Sequence, residues 1–216
     1  MGPKHTLIIL FLLFFSFLGK AEEMDSYVSR FQLVPQLSIL SPGEITLKNS
    51  SFEVPYSKKL QGIFGFSLGA ESPLQISDSF QLFFVSRLGF AYTNGDYTVN
   101  NTTTRSTNYT NINLAWVPAS IGVKSVFSIN KFPYVRPTLS VGSGASWMYQ
   151  SSATDGLSEH FLVPHYYITS GLSFFEKQNP DDWFGGFSFG VTFQDSFATS
   201  QRVRNTSFDL SINIIP

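Results

Sequence analysis

Arg87, Lys124, Arg136 and Asp209 are scattered along the chain, each next to an apolar neighbour. A charge held in apolar surroundings needs an opposite charge or water beside it. Such a set can line a polar passage, or it can lock one shut. Three bases against one carboxylate is unbalanced, and Glu71, Asp78 or Glu176 could complete the set. A second group, Glu159, His160 and His165, sits in "EHFLVPHYY". With a nearby serine it contains the residue types that activate a nucleophile. The plainer reading is of histidines at a surface. No HExxH, P-loop or EF-hand pattern is present. Cysteine is absent, so disulfides and thiolate metal sites are excluded, and no cofactor is implied.

The elements that must position these residues are strands. After the first thirty residues, period-two alternation recurs along the chain. In "FGGFSFGVTFQD" (184–195), Phe187, Phe189, Val191 and Phe193 alternate with glycine, serine, threonine and glutamine. Similar stretches begin near Phe31, Ile63, Phe80, Ile112, Pro133, Tyr166 and Ser207, for eight strands in all. The fourth changes phase: Ile112, Leu114 and Trp116 are even-numbered, Ile121, Val123 and Phe127 odd. One extra residue near Pro118 would do this, so a β-bulge is expected there. Phe83 and Val85 leave the third strand ambiguous. The connections at 41–59, 93–108, 150–163 and 196–205 are long and polar, and those at 71–78, 129–133 and 176–182 are shorter.

Which face of each strand is wet decides the fold. The apolar faces carry far more bulky groups than the roughly twelve that fill a closed barrel core. Glycine, serine and threonine fit such a lumen, so in a closed barrel the large residues face outward, into hydrocarbon. A secreted β-sandwich or a lipocalin-like barrel explains the alternation equally well. Neither explains the loop asymmetry, nor an opposite face of glycine and serine where a solvated sheet carries charge. Only 13% of residues are charged, while 16% are aromatic and 23 are Phe. With 14 Lys+Arg against 15 Asp+Glu, nothing suggests nucleic-acid binding.

The sequence opens "MGPKHTLIILFLLFFSFLGKAEE", a basic head, an apolar run from Leu7 to Leu18, then Gly19-Lys20-Ala21. This pattern predicts a secretory signal peptide over 1–21, with a barrel domain over 22–216. Asn-x-Ser/Thr triplets at Asn49, Asn100, Asn101, Asn108 and Asn205 are read as by-products of Asn- and Thr-rich surface loops. Trp116, Trp147, Tyr149, Tyr166 and Tyr92 are expected at headgroup level.

"WVPASIGVK" (116–124) followed by "FPYVRPTLSVGSGASW" (132–147) resembles the small eight-stranded outer-membrane β-barrels of Gram-negative bacteria, among them the OmpA transmembrane, OmpX and OmpW-like groups. There a Pro-x-x-x-Gly-x-Lys strand is commonly followed by a Pro-Tyr-Val strand with alternating glycines. The last strand resembles the C-terminal signal read by barrel-insertion machinery, but ends Ile214-Ile215-Pro216 where an aromatic is usual. The resemblance implies a closed, antiparallel, up-and-down transmembrane barrel with both termini in the periplasm. It also implies export to the outer membrane as a monomer, with lipid, insertion machinery and periplasmic chaperones as partners. Arg87, Lys124, Arg136 and Asp209 would then face the lumen, as a plug in preference to a pore because eight strands leave little space. The expected role is structural or in surface contacts. Alternatives are a narrow channel for small or hydrophobic solutes, and a lipid-modifying enzyme using His160 or His165.

Overall fold

The computed structural model describes residues 31–48, 52–55, 63–77, 80–101, 103–129, 134–152, 158–174, 183–197 and 201–216. Nine strands follow one another: β1 (Gln32–Lys48), β2 (Phe52–Pro55), β3 (Ile63–Ile76), β4 (Phe80–Asn101), β5 (Ser106–Phe127), β6 (Val135–Ser151), β7 (Ser158–Phe174), β8 (Phe184–Ser196) and β9 (Arg202–Ile214). From β3 to β9 each strand pairs antiparallel with its successor, and β1 pairs with both β3 and β9. That last pairing closes an eight-stranded up-and-down barrel. β2 is additional. It lies in the first long connection and clips the upper ends of β1 and β4 together. The signal-peptide reading of 1–21 lies outside the described residues.

The exterior answers which face is wet. Phe187, Phe189, Val191 and Phe193 of β8 all point out, as do Phe64, Phe66 and Leu68 of β3 and Phe208, Leu210 and Ile212 of β9. A continuous apolar belt of this kind is solvated by acyl chains and not by water. The residues between them point inward, and the small ones make room. At Gly142 a Cβ would stand 2.6 Å from Cε1 of Tyr167, and Gly122 lies under the same ring. The tyrosine fits across the lumen wall because neither position has a side chain.

Two expectations fail here. The bulge near Pro118 does not exist. The β4–β5 register is the same from Phe80↔Phe127 to Asn101↔Ser106, and β5–β6 runs unshifted from Asn113↔Ser151 to Val126↔Thr138. The irregularities fall instead at Pro42/Glu44 in β1, Pro73/Gln75 in β3 and Phe184/Gly186 in β8. Gly186 has φ 114°, which glycine adopts without strain. The phase of β5 changes because its apolar residues change sides: Ile112, Leu114 and Trp116 point inward, Ile121 outward.

The second failure concerns the long connections, which are mostly sheet. β4 and β5 each run 22 residues, about twice the 9–11 that cross a bilayer. At the tip of their hairpin Asn101 Oδ1 accepts the amides of Thr103 and Thr104 at 2.9 Å each. Arg105 completes the turn with φ 55°. Threonine, tyrosine and valine favour extended backbone even in a polar segment, so this hairpin continues as wall. Asn205, expected in a loop, is a buried residue of β9.

Candidate functional site in the barrel lumen

Three layers fill the lumen. The upper one is apolar. Leu40, Ile45, Leu47, Ile63, Ile112, Leu114, Trp116, Met148, Val163 and Val203 form one buried cluster between the ends of six strands and the rim. Trp116 is only 1% exposed, so it is a core residue and not one of the headgroup-level aromatics. The physical reason is solvent. Above the bilayer water bathes the outside of the wall, and apolar groups there gain by turning in.

The middle layer is a set of hydrogen-bonded chains. Asn205 donates to Gln194 Oε1 at 3.3 Å, Gln194 donates to Ser146 Oγ at 3.3 Å, and Ser146 Oγ lies 3.1 Å from His165 Nδ1. One inward position further along the same two strands, Thr192 and Ser207 donate to the two oxygens of Asp209, at 2.5 and 3.0 Å. Thr169 contacts Thr192 at 2.7 Å. The lower layer holds the buried ion pair. Lys124 Nζ donates to both oxygens of Glu71, at 3.0 and 2.7 Å. Ser173 and Ser188 meet at 2.8 Å beside it. Phe83, Val85 and Val126 form a small apolar cluster on the same inward face, which settles the ambiguity of the third strand.

Thus the structure places the four charged residues read from sequence as follows. Lys124 is buried and paired with Glu71, one of the three carboxylates considered for it. Asp209 is buried and held by hydroxyls. Arg136 is almost fully buried near the end of the barrel away from the rim cluster, and is engaged there. Arg87 lines two cavities, of about 90 and 30 Å³, and has no hydrogen bond or ion pair among the described residues. The four do not form one direct network. Asp78 and Glu176 lie outside the described residues.

The histidines do not act together. His165 is buried in the lumen, whereas His160 lies on the outer face, stacked between Trp147 and Tyr149 with ring centroids 5.3 and 4.7 Å away. No group of three His, Cys, Asp or Glu able to hold a metal occurs among the described residues. Ser146, Gln194, Thr192 and Tyr167 were missed as lumen residues of interest. Strand parity puts each on the inward face, but which of them meet depends on the register across the barrel.

Fold and lumen together define the class: a closed eight-stranded barrel of the outer-membrane type. No protein-family model matches the chain, and no curated protein does. Among solved structures it is similar to Ail, the attachment invasion locus protein of Yersinia pestis, at 14% identity and TM-score 0.45, covering 88% of this chain and 99% of that one. It is also similar to the outer membrane protein OprG of Pseudomonas aeruginosa, at 9% identity and TM-score 0.49, covering 89% and 96%. A third is the outer membrane protease OmpT of Escherichia coli, at 5% identity and TM-score 0.49, covering 89% and 98%.

Proposed function

We propose that this chain is a bacterial outer-membrane protein, exported by an N-terminal signal, that acts as a sealed membrane-embedded barrel with a structural or surface-contact role. The carrying observation is the filling of the lumen, by an apolar cluster at the rim, hydrogen-bonded polar side chains below it and the buried Glu71–Lys124 pair. Water and ions cross a barrel only where polar groups line an open path. The cavities left among these side chains, about 90 and 30 Å³, hold only a few waters each. With no passage through it, what the barrel offers the outside is its raised wall: the β4–β5 hairpin, the β2 clip and the upper ends of β6 and β7. Lipid surrounds the belt, and the insertion machinery and periplasmic chaperones are its partners during assembly.

Reconstitution of the purified, heat-modifiable protein into planar bilayers tests the reading. The expected result is a silent membrane under applied voltage. Regular conductance steps, lost on boiling the sample, would overturn it in favour of the channel.

A further inference from the structure

On one side of the barrel, the upper border of the lipid belt carries residues that the structural role does not use. On the outer face of β6 and β7, Trp147 stands opposite Leu162, and both are exposed. The next outward pair up is Tyr149 and His160, and the one above it Ser151 and Ser158. The rings of Trp147, Tyr149 and His160 are near parallel, with planes 11–29° apart and centroids 4.7–6.4 Å apart. The Tyr149 hydroxyl lies 3.3 Å from Ser158 Oγ. The row continues across β5 to β4, where Tyr149 aligns with Ala115 and Ala115 with Tyr92. Ala115 is a small floor between two tyrosines that stand two strand spacings, about 10 Å, apart. Just above it Asn113 Oδ1 accepts the Tyr92 hydroxyl at 2.8 Å, which leaves the Asn113 amide nitrogen as a donor.

A lipid that packs its chains against Leu162 and Trp147 holds its headgroup against these rows, because they are the next outward positions on the same strands. Its chemistry follows from what the rows offer. Neither contains Lys, Arg, Asp or Glu, and the exposed Lys48 and Arg202 lie across the barrel on β1 and β9. A phosphate would need such cations. A sugar ring needs what is present: a flat aromatic surface for its C–H face, and amide and hydroxyl groups for the hydroxyls on its edge. We propose that the outer face of β5–β7 at this height binds the neutral sugar headgroup of an outer-leaflet glycolipid. The sugar packs over Tyr149 and His160 above the Ala115 floor, with Asn113 and Ser158 as hydrogen-bond partners. The site goes beyond the structural role and rests on that reading only for the membrane-embedded placement of the belt.

Displacement of brominated lipid tests this in the full mature chain carrying Trp183→Phe, refolded in phosphatidylcholine vesicles. Trp147 is then the lipid-facing tryptophan, since Trp116 is enclosed in the lumen. Phosphatidylcholine with brominated chains quenches Trp147, and unbrominated monoglucosyl diacylglycerol that takes the site relieves the quench. The expected relief is about threefold or more stronger, per mole of lipid, than that given by unbrominated phosphatidylcholine. Tyr149→Ala/His160→Ala abolishes the preference, and phosphatidylglycerol shows none. Equal relief by the glucosyl lipid and phosphatidylcholine overturns the proposal. So does a preference that survives the double variant, or a stronger relief by phosphatidylglycerol. If the double variant loses heat-modifiable mobility, Ala115→Leu, which fills the floor between the tyrosines, takes its place. Absence of any quenching by brominated phosphatidylcholine removes the membrane-embedded reading itself, and this site with it.

Discussion

The upper and lower parts of β5 carry the same alternation and send it to opposite sides. Ile112, Leu114 and Trp116 pack inward under the rim, whereas Ile121, five residues beyond Trp116, is 57% exposed on the outer belt. The backbone register does not change between them. What changes is the medium outside the wall, from water to hydrocarbon. In the first setting burial of an apolar group means turning in, and in the second it means turning out. The lumen shows the complement: where bulky residues leave for the lipid, hydroxyls, amides and an ion pair take the interior.

That contrast can be broken at its polar end with the largest effect. Lys124→Met leaves Glu71 buried without its cation, which should cost about 3–5 kcal/mol of unfolding free energy. Urea unfolding in vesicles measures it, and the Lys124→Met/Glu71→Leu double variant should recover most of the loss. Next comes Leu114→Ala at the rim, expected to lose about 2–5 kcal/mol through a cavity in the packed cluster. Ile121→Ala, on lipid, should cost clearly less, because acyl chains refill the space. Equal losses at the two positions would contradict the change of sides. Gly142→Ala pushes against the Tyr167 ring and should cost about 1–3 kcal/mol by the same assay. The smallest effect belongs outside. Asp195 and Arg204 pair at 2.8 Å with the arginine well exposed, and Asp195→Asn should shift stability by no more than about 1 kcal/mol.

Alternation alone made the eight strands and the apolar belt legible, because a pleated strand must divide its residues between two faces. It could not say at what height the faces trade roles, since height is set by the bilayer and not by any residue. Pro118 therefore drew an explanation the backbone does not need, and Trp116 was assigned to the headgroups. The lumen charges were legible as inward-facing by parity. Their partners were not, because Glu71 and Lys124 stand two strands apart. Glu71 aligns with Val85 and Val85 with Gly122, which puts Lys124 one inward position further on. That step requires two registers at once. The cavity beside Arg87 was invisible for the same reason, being formed by residues from seven of the eight barrel strands.

The pairing of β1 with β9, from Leu33↔Ile214 to Thr46↔Arg202, joins the beginning of the barrel to its end. A seam between the two most distant strands cannot form while the chain is still emerging. Until the final dozen residues arrive, two raw sheet edges remain, each able to recruit a strand from another chain. Completion of the ring is therefore a late event, and a copy truncated before β9 is left with both edges open to aggregation.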